Sequence, residues 1–294
     1  MEKNICELNE KEPNLVQVIA ISLIIFQSTT AIAAIVLNAL VLWTVRKTPS
    51  LHTPSRILLC SLAMTDLLTG ALVQGLAVVY YASTIKYWPG VICISSLLLT
   101  RIGYILGTIS LTTLTAISID RCMAIVMKTS YRSVVTKKRA ALLVLSIWLL
   151  ESIVTLFTVH FLHPQQFVIL ALVFMSICIF TITVSYSMAF NNLKRLSSQV
   201  TTNHLSTGQQ PASDLNIFKY RRYLVTMVII LTATLMLYTP LLVFYFTIIS
   251  SPVIILTPVL VFCESLVTLN ATVNPIIHFI RMTELRQAAK HLLA

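Results

Sequence analysis

The chain has 294 residues, of which 57% are hydrophobic and 11% charged, and its mean hydropathy is +0.87. A soluble domain usually carries about 25% charged residues, so this chain cannot cover a water-soluble globule of its size, and a bilayer is its natural solvent. The composition also excludes a disordered chain, a coiled coil and a disulfide-stapled mini-protein, and six glycines argue against a β-barrel built from many tight turns.

Seven apolar stretches are each long enough to span a bilayer as a helix, which needs about 20 residues. They cover residues 16–45, 55–81, 92–126, 140–161, 166–190, 223–249 and 253–280. Pro240, Pro258 and Pro275 fall inside the last two stretches and predict kinks there. We therefore predict an all-α membrane protein, with a seven-transmembrane helix bundle over residues 16–281.

Polar segments flank and interrupt the apolar stretches. Residues 1–15 are predicted to be an extracellular N-terminus, and residues 191–221 a polar third cytoplasmic loop that acts as a linker. Residues 282–294 are predicted to form a short cytoplasmic helix and tail. Within it, TELRQAAKHLL places its apolar side chains on one side of a helix, which predicts a short amphipathic eighth helix on the inner leaflet.

The basic residues predict the orientation of the bundle. All but four of the 21 lysines and arginines follow the first, third or fifth stretch or lie in the tail; the exceptions are Lys3, Lys11, Lys86 and Arg101. The positive-inside rule places those segments in the cytoplasm and the N-terminus outside. The net charge of +11 therefore reflects topology, and nucleic acid is excluded as a partner because the basic residues are split among short segments.

A few ionisable residues lie at membrane depth, where charge is costly and needs a reason. They are Asp66, Asp120 with Arg121, Glu151 and Glu264. Asp66 shares its depth with polar residues of three other predicted helices, namely Asn38, Ser110, Asn270 and Asn274. Two interpretations stand: a neutral Asp66 hydrogen-bonded to the amides, or an ionised Asp66 in an oxygen-rich site that suits sodium. For Glu151 a packing role is expected.

One face of the third predicted helix links three depths. Its residues follow each other in steps of four and three, as one helical face requires: Gly103, Gly107, Ser110, Leu114, Ile117 and Arg121. From the first to the last the rise is about 27 Å. The two glycines fit a ligand cavity and close helix packing equally well.

Together these residues resemble a class A (rhodopsin-like) G-protein-coupled receptor over nearly the whole chain. Seven family positions match in order: Asn38 in helix 1; Asp66 in L-A-x-x-D; Asp120-Arg121-Cys122 at D-R-Y; Trp148 in helix 4; Tyr186 in helix 5; Pro240 of C-W-x-P; and Asn274-Pro275 of N-P-x-x-Y.

The resemblance implies a mechanism in the plasma membrane. An agonist binds an outer cavity, helix 6 swings about Pro240, and a heterotrimeric G protein enters from the cytoplasm. Asp120 would pair with Arg121 at rest, and Arg121 would then move toward the G protein and Tyr186. The resemblance implies no covalent cofactor, and a sodium ion that favours the inactive state would be held by Asp66, Ser110, Asn270 and Asn274.

Two switch positions depart from the family pattern. Tyr238 stands at the tryptophan of C-W-x-P, and His278 at the tyrosine of N-P-x-x-Y. Because histidine titrates near neutrality, the inner switch is expected to be weakened or pH-sensitive. A histidine satisfied within the core is the alternative.

The predicted outer cavity is lined by Leu76, Tyr80, Gly103, Tyr104, Gly107, Leu241, Leu242, Tyr245, Glu264 and Thr268. Gly103 replaces the aspartate of amine receptors, so a typical amine is not expected. Thr268 replaces the opsin lysine, which excludes retinal. Glu264 favours a ligand with a cationic portion, unless it serves as a partner for Arg101.

The usual disulfide of the family is not expected, because Ser96 stands at its helix 3 cysteine and residues 160–165 lack cysteine. Cys6, Cys93 and Cys263 can all face outside, and Cys6 is a candidate to pair with either of the others. Cys60, Cys122 and Cys178 are expected to be buried thiols. The short second outer loop and a helix 5 without proline are similar to melanocortin-type receptors.

Other functions receive less support. Metal-ligand clusters, phosphate loops and nucleophile constellations are not seen, so the chain is not expected to be an enzyme. A transporter or channel would need a continuous polar stripe, whereas only isolated polar sites are visible. A receptor-like protein that no longer couples is kept as an alternative because of Tyr238 and His278.

Overall fold

A computed structural model describes residues 13–47, 53–127, 130–207, 213–250 and 257–281. Within them lie seven long helices: α1 (Pro13–Lys47), α2 (Thr53–Ile85), α3 (Pro89–Met127), α4 (Lys137–Phe161), α5 (Pro164–Thr207), α6 (Ser213–Ser250) and α7 (Thr257–Arg281). A one-turn helix, Tyr131–Val134, lies between α3 and α4. All seven long helices are apolar and long enough to cross a membrane, which confirms the predicted bundle.

Two expectations about the chain segments are corrected. Residues 191–207 continue α5 and α6 begins at Ser213, so the segment 191–221 is largely helical rather than an irregular linker. The segment is polar, but residues 191–207 and 213–221 contain no glycine or proline that would end a helix. Gly208 and Pro211 both fall between these two parts. Pro258 is the second residue of α7, where proline is tolerated, so it does not kink the helix.

Other predicted features fall outside the described residues. These are residues 1–12 of the N-terminal segment and the eighth helix at 282–294. Pro240 and Pro275 do lie within α6 and α7, as expected.

The bundle has apolar side chains outside and polar ones within. Phe180 and Met236 are each 70% exposed on the outer surface, while Asn38, Thr65 and Asp66 are buried. A water-soluble bundle would show the opposite arrangement, because exposed apolar surface is favourable only against lipid. The outer face of the helices is therefore a lipid-facing surface.

Close helix packing positions the interior. α2 contains a π-helical turn, Thr69–Gln74, between its two α-helical parts. Gly70 in this turn lies against α1, where an added Cβ would be 3.0 Å from the Cβ of Ala34 and 3.2 Å from the carbonyl of Ala31. Only glycine allows the two backbones to approach this closely.

α3 is the central helix of the bundle. It packs against α2, α4 and α5, whereas α4 and α5 make few contacts with each other. A buried cluster that includes Leu111, Met175, Tyr238 and Phe244 joins α3 to α5 and α6. Residues at both ends of α3 are thereby held on one rigid element.

Candidate functional site

The C-terminal part of α3 holds a buried carboxylate with three partners. Asp120 accepts hydrogen bonds from Tyr131 Oη at 2.6 Å and from Ser55 Oγ at 2.9 Å. Its Oδ2 also lies 3.9 Å from Arg121 Nε. Asp120 is thus fixed by α2 and by the one-turn helix, and it holds the neighbouring guanidinium at this end of the bundle.

Tyr131 is well suited to this position. Burial, together with its hydrogen bond to Asp120, raises the pKa of Tyr131 to about 12. The phenol therefore remains a protonated donor at physiological pH, and it satisfies one oxygen of the Asp120 carboxylate.

Tyr186 of α5 is held next to this region by a residue that sequence reasoning missed. Its Oη lies 2.8 Å from Ser118 Oγ of α3, and both side chains are buried. Tyr186 is therefore engaged by a hydroxyl two positions before Asp120.

His278 lies near the C-terminal end of α7 with both ring nitrogens enclosed and without a hydrogen-bond partner among the described residues. The expectation of a satisfied core histidine is not met in this arrangement. A buried polar ring without partners carries a desolvation cost that a rearrangement can relieve.

The middle of the bundle contains the polar group around Asp66. Ser110 Oγ lies 3.3 Å from Asp66 Oδ1, and Asn274 Nδ2 donates to Oδ2 at 3.0 Å. Asn270 lies one helical turn from Asn274, and both atoms of its buried amide lack a hydrogen-bond partner in the described part of the chain. Three of the four predicted residues are thus in direct contact, and the fourth presents an unused oxygen.

On the other side of the Asp66 group, away from Arg121, three helices meet in a cluster of acid and phenol groups. Tyr104 Oη of α3 lies 2.8 Å from Tyr245 Oη of α6 and 3.5 Å from Glu264 Oε1 of α7. The ring of Tyr104 also packs edge-on against Phe167, with centroids 4.8 Å apart. Glu264 therefore faces two tyrosines and forms no ion pair with Arg101.

The remaining predicted cavity residues divide into two groups. Leu241 and Leu242 pack in the cluster around Tyr245, and a Cβ added at Gly107 would meet no atom within 4 Å, so space is open beside α3 there. Gly103 instead contacts α2, with Val73 Cγ1 3.6 Å from such a Cβ.

Tyr80 and Thr268 belong to the side of the cavity next to α1. Tyr80 and Leu76 lie on α2, and Tyr80 packs against the buried cluster of Ala20, Ala77 and Tyr81. Thr268 Oγ1 lies 3.5 Å from Gln27 Oε1.

Residues 37–278 match the family described as 7 transmembrane receptor (rhodopsin family). The chain belongs to this family.

Individual relatives match a shorter part of the rhodopsin-family chain. 5-hydroxytryptamine receptor 1D of Mus musculus is 31% identical over 143 residues, covering 48% of this chain and 37% of that receptor. Adenosine receptor A3 of Bos taurus is 36% identical over 126 residues, covering 42% of this chain and 38% of that receptor. The matched segments span less than two-fifths of either relative, and the similarity to melanocortin-type receptors is not confirmed by them.

Cys93 and Cys263 of this rhodopsin-family chain are both free thiols. Cys93 is exposed, whereas Cys263 is buried in the cluster around Tyr238 and Tyr245. Cys6, the proposed partner of either, lies outside the described residues.

Several functional residues were missed from the sequence. Ser55 and Ser118 are small polar residues of a kind that is common in membrane helices, and only the rotation of α2 and α3 brings them to Asp120 and Tyr186. The sequence did contain a signal for a second polar group. Its spacing of four and three residues places Thr108, Thr112 and Thr115 on one face of α3. Thr112 donates to Glu151 of α4 at 2.8 Å.

Proposed function

We propose that this chain is a plasma-membrane G-protein-coupled receptor that transmits an extracellular ligand signal to a heterotrimeric G protein. The observation that carries the proposal is the continuity of α3. Tyr104 near the middle of α3 bonds to α6 and α7, and Arg121 near its inner end is held by Asp120. The rise between them is about 26 Å, so one rigid rod connects the two clusters.

The outer cluster is the proposed ligand site. Glu264 supplies an anionic group beside two phenols and the open space at Gly107, which suits a ligand with a cationic portion and hydrogen-bonding groups. The ligand differs from a typical amine, because Gly103 offers no carboxylate on α3. The N-terminus lies outside and the basic loops lie in the cytoplasm, as the charge distribution favours.

The group around Asp66 is the proposed sodium site. Asp66 and Ser110 already lie together, and the unpartnered amide oxygen of Asn270 fits an oxygen-coordinated cation. Asn274 would complete the set of ligands. A bound cation would supply positive charge to a buried carboxylate and so stabilise the resting arrangement of α2, α3 and α7.

A screen for agonists against a pooled G-protein readout tests the proposal, and basal activity is measured in the same cells. Arg121→Ala should abolish nucleotide exchange at unchanged surface expression, because the buried Asp120 would then hold no guanidinium at the inner mouth. Ion flux without nucleotide exchange would instead identify a channel or transporter.

A receptor-like protein without coupling is a second candidate, favoured by the unpartnered His278. In that case the chain would reach the cell surface and bind ligand, yet it would activate no G protein of the pool.

A further inference from the structure

The end of α1 and the start of α2 bring basic side chains close together. Arg46 and Lys47 occupy the last turn of α1, and Arg56 is the fourth residue of α2. The thiol of Cys60 packs in the buried cluster between the two helices, and both Arg46 and Arg56 lie within electrostatic reach of it. The two guanidinium groups, on different helices, therefore converge on one place.

One carboxylate lies nearby, but it does not compensate this charge. Ser55, the neighbour of Arg56, donates to Asp120. Asp120 is buried, however, and it pairs with Arg121. None of the three basic residues at the α1 and α2 ends forms an ion pair with another described residue, and the sequence has no aspartate or glutamate from residue 13 to residue 65. Because like charges repel, an anion between them is favourable.

Membrane topology alone does not account for this arrangement. The positive-inside rule requires basic residues in a loop, but it does not require guanidinium groups of two helices to meet. Arg46 and Lys47 are exposed, and Arg56 is partly exposed. Three cations are therefore available to an anion at the surface of the bundle.

An exposed aromatic side chain places these cations at the level of lipid headgroups. Trp43 of α1 is 52% exposed, and tryptophan near the end of a membrane helix marks the interface between hydrocarbon and headgroups. Arg46 and Lys47 follow it on the same face of the helix, about 4.5–6 Å further along the axis. The basic group therefore lies at the depth of the lipid phosphates, beside apolar helix surface that contacts acyl chains.

We propose that Arg46, Lys47 and Arg56 bind a phosphoinositide of the inner leaflet, with its phosphomonoester groups between the two arginines. A phosphomonoester carries a charge of about −1.5 to −2 and three acceptor oxygens, more than the phosphodiester of an ordinary phospholipid offers. Guanidinium groups bind such oxygens in a bidentate manner, and basic clusters beside membrane helices recognise these headgroups. Only the choice of the inner leaflet rests on the proposed orientation of the receptor.

Native mass spectrometry of the purified full chain in a neutral detergent tests the proposal. It involves no signalling measurement, so its outcome is independent of the proposed receptor function. The probes are phosphatidylinositol 4,5-bisphosphate and phosphatidylserine, titrated separately and as an equimolar mixture. We expect one saturable phosphoinositide adduct, formed at concentrations about tenfold or more below those that phosphatidylserine needs.

Two double variants separate a site from diffuse attraction. Arg46→Gln combined with Arg56→Gln should weaken phosphoinositide binding about tenfold or more. Lys137→Gln combined with Lys138→Gln removes the same charge from exposed lysines at the start of α4, and it should change the binding by less than about twofold. Equal losses in the two double variants would overturn the proposal and indicate that a basic surface attracts any acidic lipid.

Photolabelling of the unaltered chain remains decisive if the arginine double variant fails to fold. The probe is phosphatidylinositol 4,5-bisphosphate with a photoreactive group on its acyl chain, and labelled peptides are identified by mass spectrometry. They should come from the end of α1 and the start of α2, and excess unlabelled phosphoinositide should displace the probe while phosphatidylserine should not. Equal displacement by phosphatidylserine, the lack of a saturable adduct, or labels confined to other helices would contradict the site.

Discussion

At the scale of single residues, the buried polar groups are of two kinds, those with partners and those without. Asp120 has three partners, whereas the nitrogens of His278 and the amide of Asn270 have none among the described residues. Buried groups without partners are energetically unfavourable. They indicate a ligand or a conformational change that supplies the missing partners. For Asn270 we propose a cation, and for His278 a changed helix arrangement.

Sodium should stabilise the purified chain through Asp66. If sodium is present at about ten times its dissociation constant, the stabilisation is about 1.4 kcal/mol, and a protein of this size should melt about 2–4 °C higher per kcal/mol. The measurement compares thermal unfolding in sodium chloride and in choline chloride of equal concentration. Asp66→Asn should lose the difference, and Glu264→Gln should retain it. A sodium effect that survives Asp66→Asn would contradict the site.

His278 should weaken the inner switch. His278→Tyr restores a longer side chain with a hydroxyl group, so agonist-stimulated exchange should rise several-fold while surface expression stays constant. The control is His278→Phe, which restores the ring size without the hydroxyl and should not raise the signal. Unchanged basal and stimulated responses for His278→Tyr would rule out a role for this position in switching.

At the scale of helices, the contact between Ser118 and Tyr186 ties α3 to α5 in the resting arrangement. In the proposed mechanism Arg121 moves toward Tyr186, so the Ser118 hydroxyl competes for the same phenol. A buried hydrogen bond contributes about 1 kcal/mol to the state in which it forms.

Ser118→Ala should therefore raise basal signalling about fivefold, since about 1 kcal/mol corresponds to a factor of this size. Basal nucleotide exchange per surface receptor is the measurement. Thr183→Ala is the matched control on α5, because within the described residues that hydroxyl bonds to its own helix alone, at the carbonyl of Ile179. Lower basal activity of Ser118→Ala would show that the contact supports the active arrangement instead.

The approach of α1 to α2 depends on Gly70. Gly70→Ala would place a methyl group 3.0 Å from Ala34 Cβ, so the helices must separate, and overpacking of this kind costs about 1–3 kcal/mol. Gly75→Ala meets open space and should be neutral, or stabilising by up to about 1 kcal/mol through helix propensity. Thermal unfolding in detergent compares the two, and equal melting temperatures would refute the packing argument.

At the scale of the whole molecule, coupling between the outer and inner clusters must be reciprocal. If an agonist at the Glu264 cluster favours G-protein binding, the G protein must raise agonist affinity by the same factor, typically about 5–150-fold. Radioligand competition with and without nucleotide-free G protein measures this factor. Arg121→Ala should bring it close to one. A shift that persists in Arg121→Ala would move the coupling away from the Asp120–Arg121 pair.

Much of this organisation is accessible from the sequence, because lipid imposes strong constraints. The seven spans follow from hydropathy, and Asp66, Asp120 and Arg121 stand out because charge is rare at membrane depth. The polar set around Asp66 was predicted from depth alone, and the structure joins Asp66 to Ser110 and Asn274.

What could not be predicted depends on helix rotation and local packing. Spacing shows that Thr108 and Thr112 share a face, but only the fold shows that the face meets Glu151. The π-helical turn at Thr69–Gln74 has no proline to mark it. The helices at both ends of residues 191–221 could not be predicted, because a polar composition does not distinguish a helix from a linker.

The ties between the first and last helices have a consequence for synthesis. Asn38 donates to the carbonyl of Ala271 at 2.8 Å, Gln27 to Ser265 at 3.1 Å, and Thr272 to the carbonyl of Thr30 at 3.1 Å. The polar groups of α1 therefore lack these partners in the bilayer until α7 has been inserted. A nascent chain that stops before α7 should expose these amides within the membrane, and we expect the cell to recognise and degrade it as unassembled.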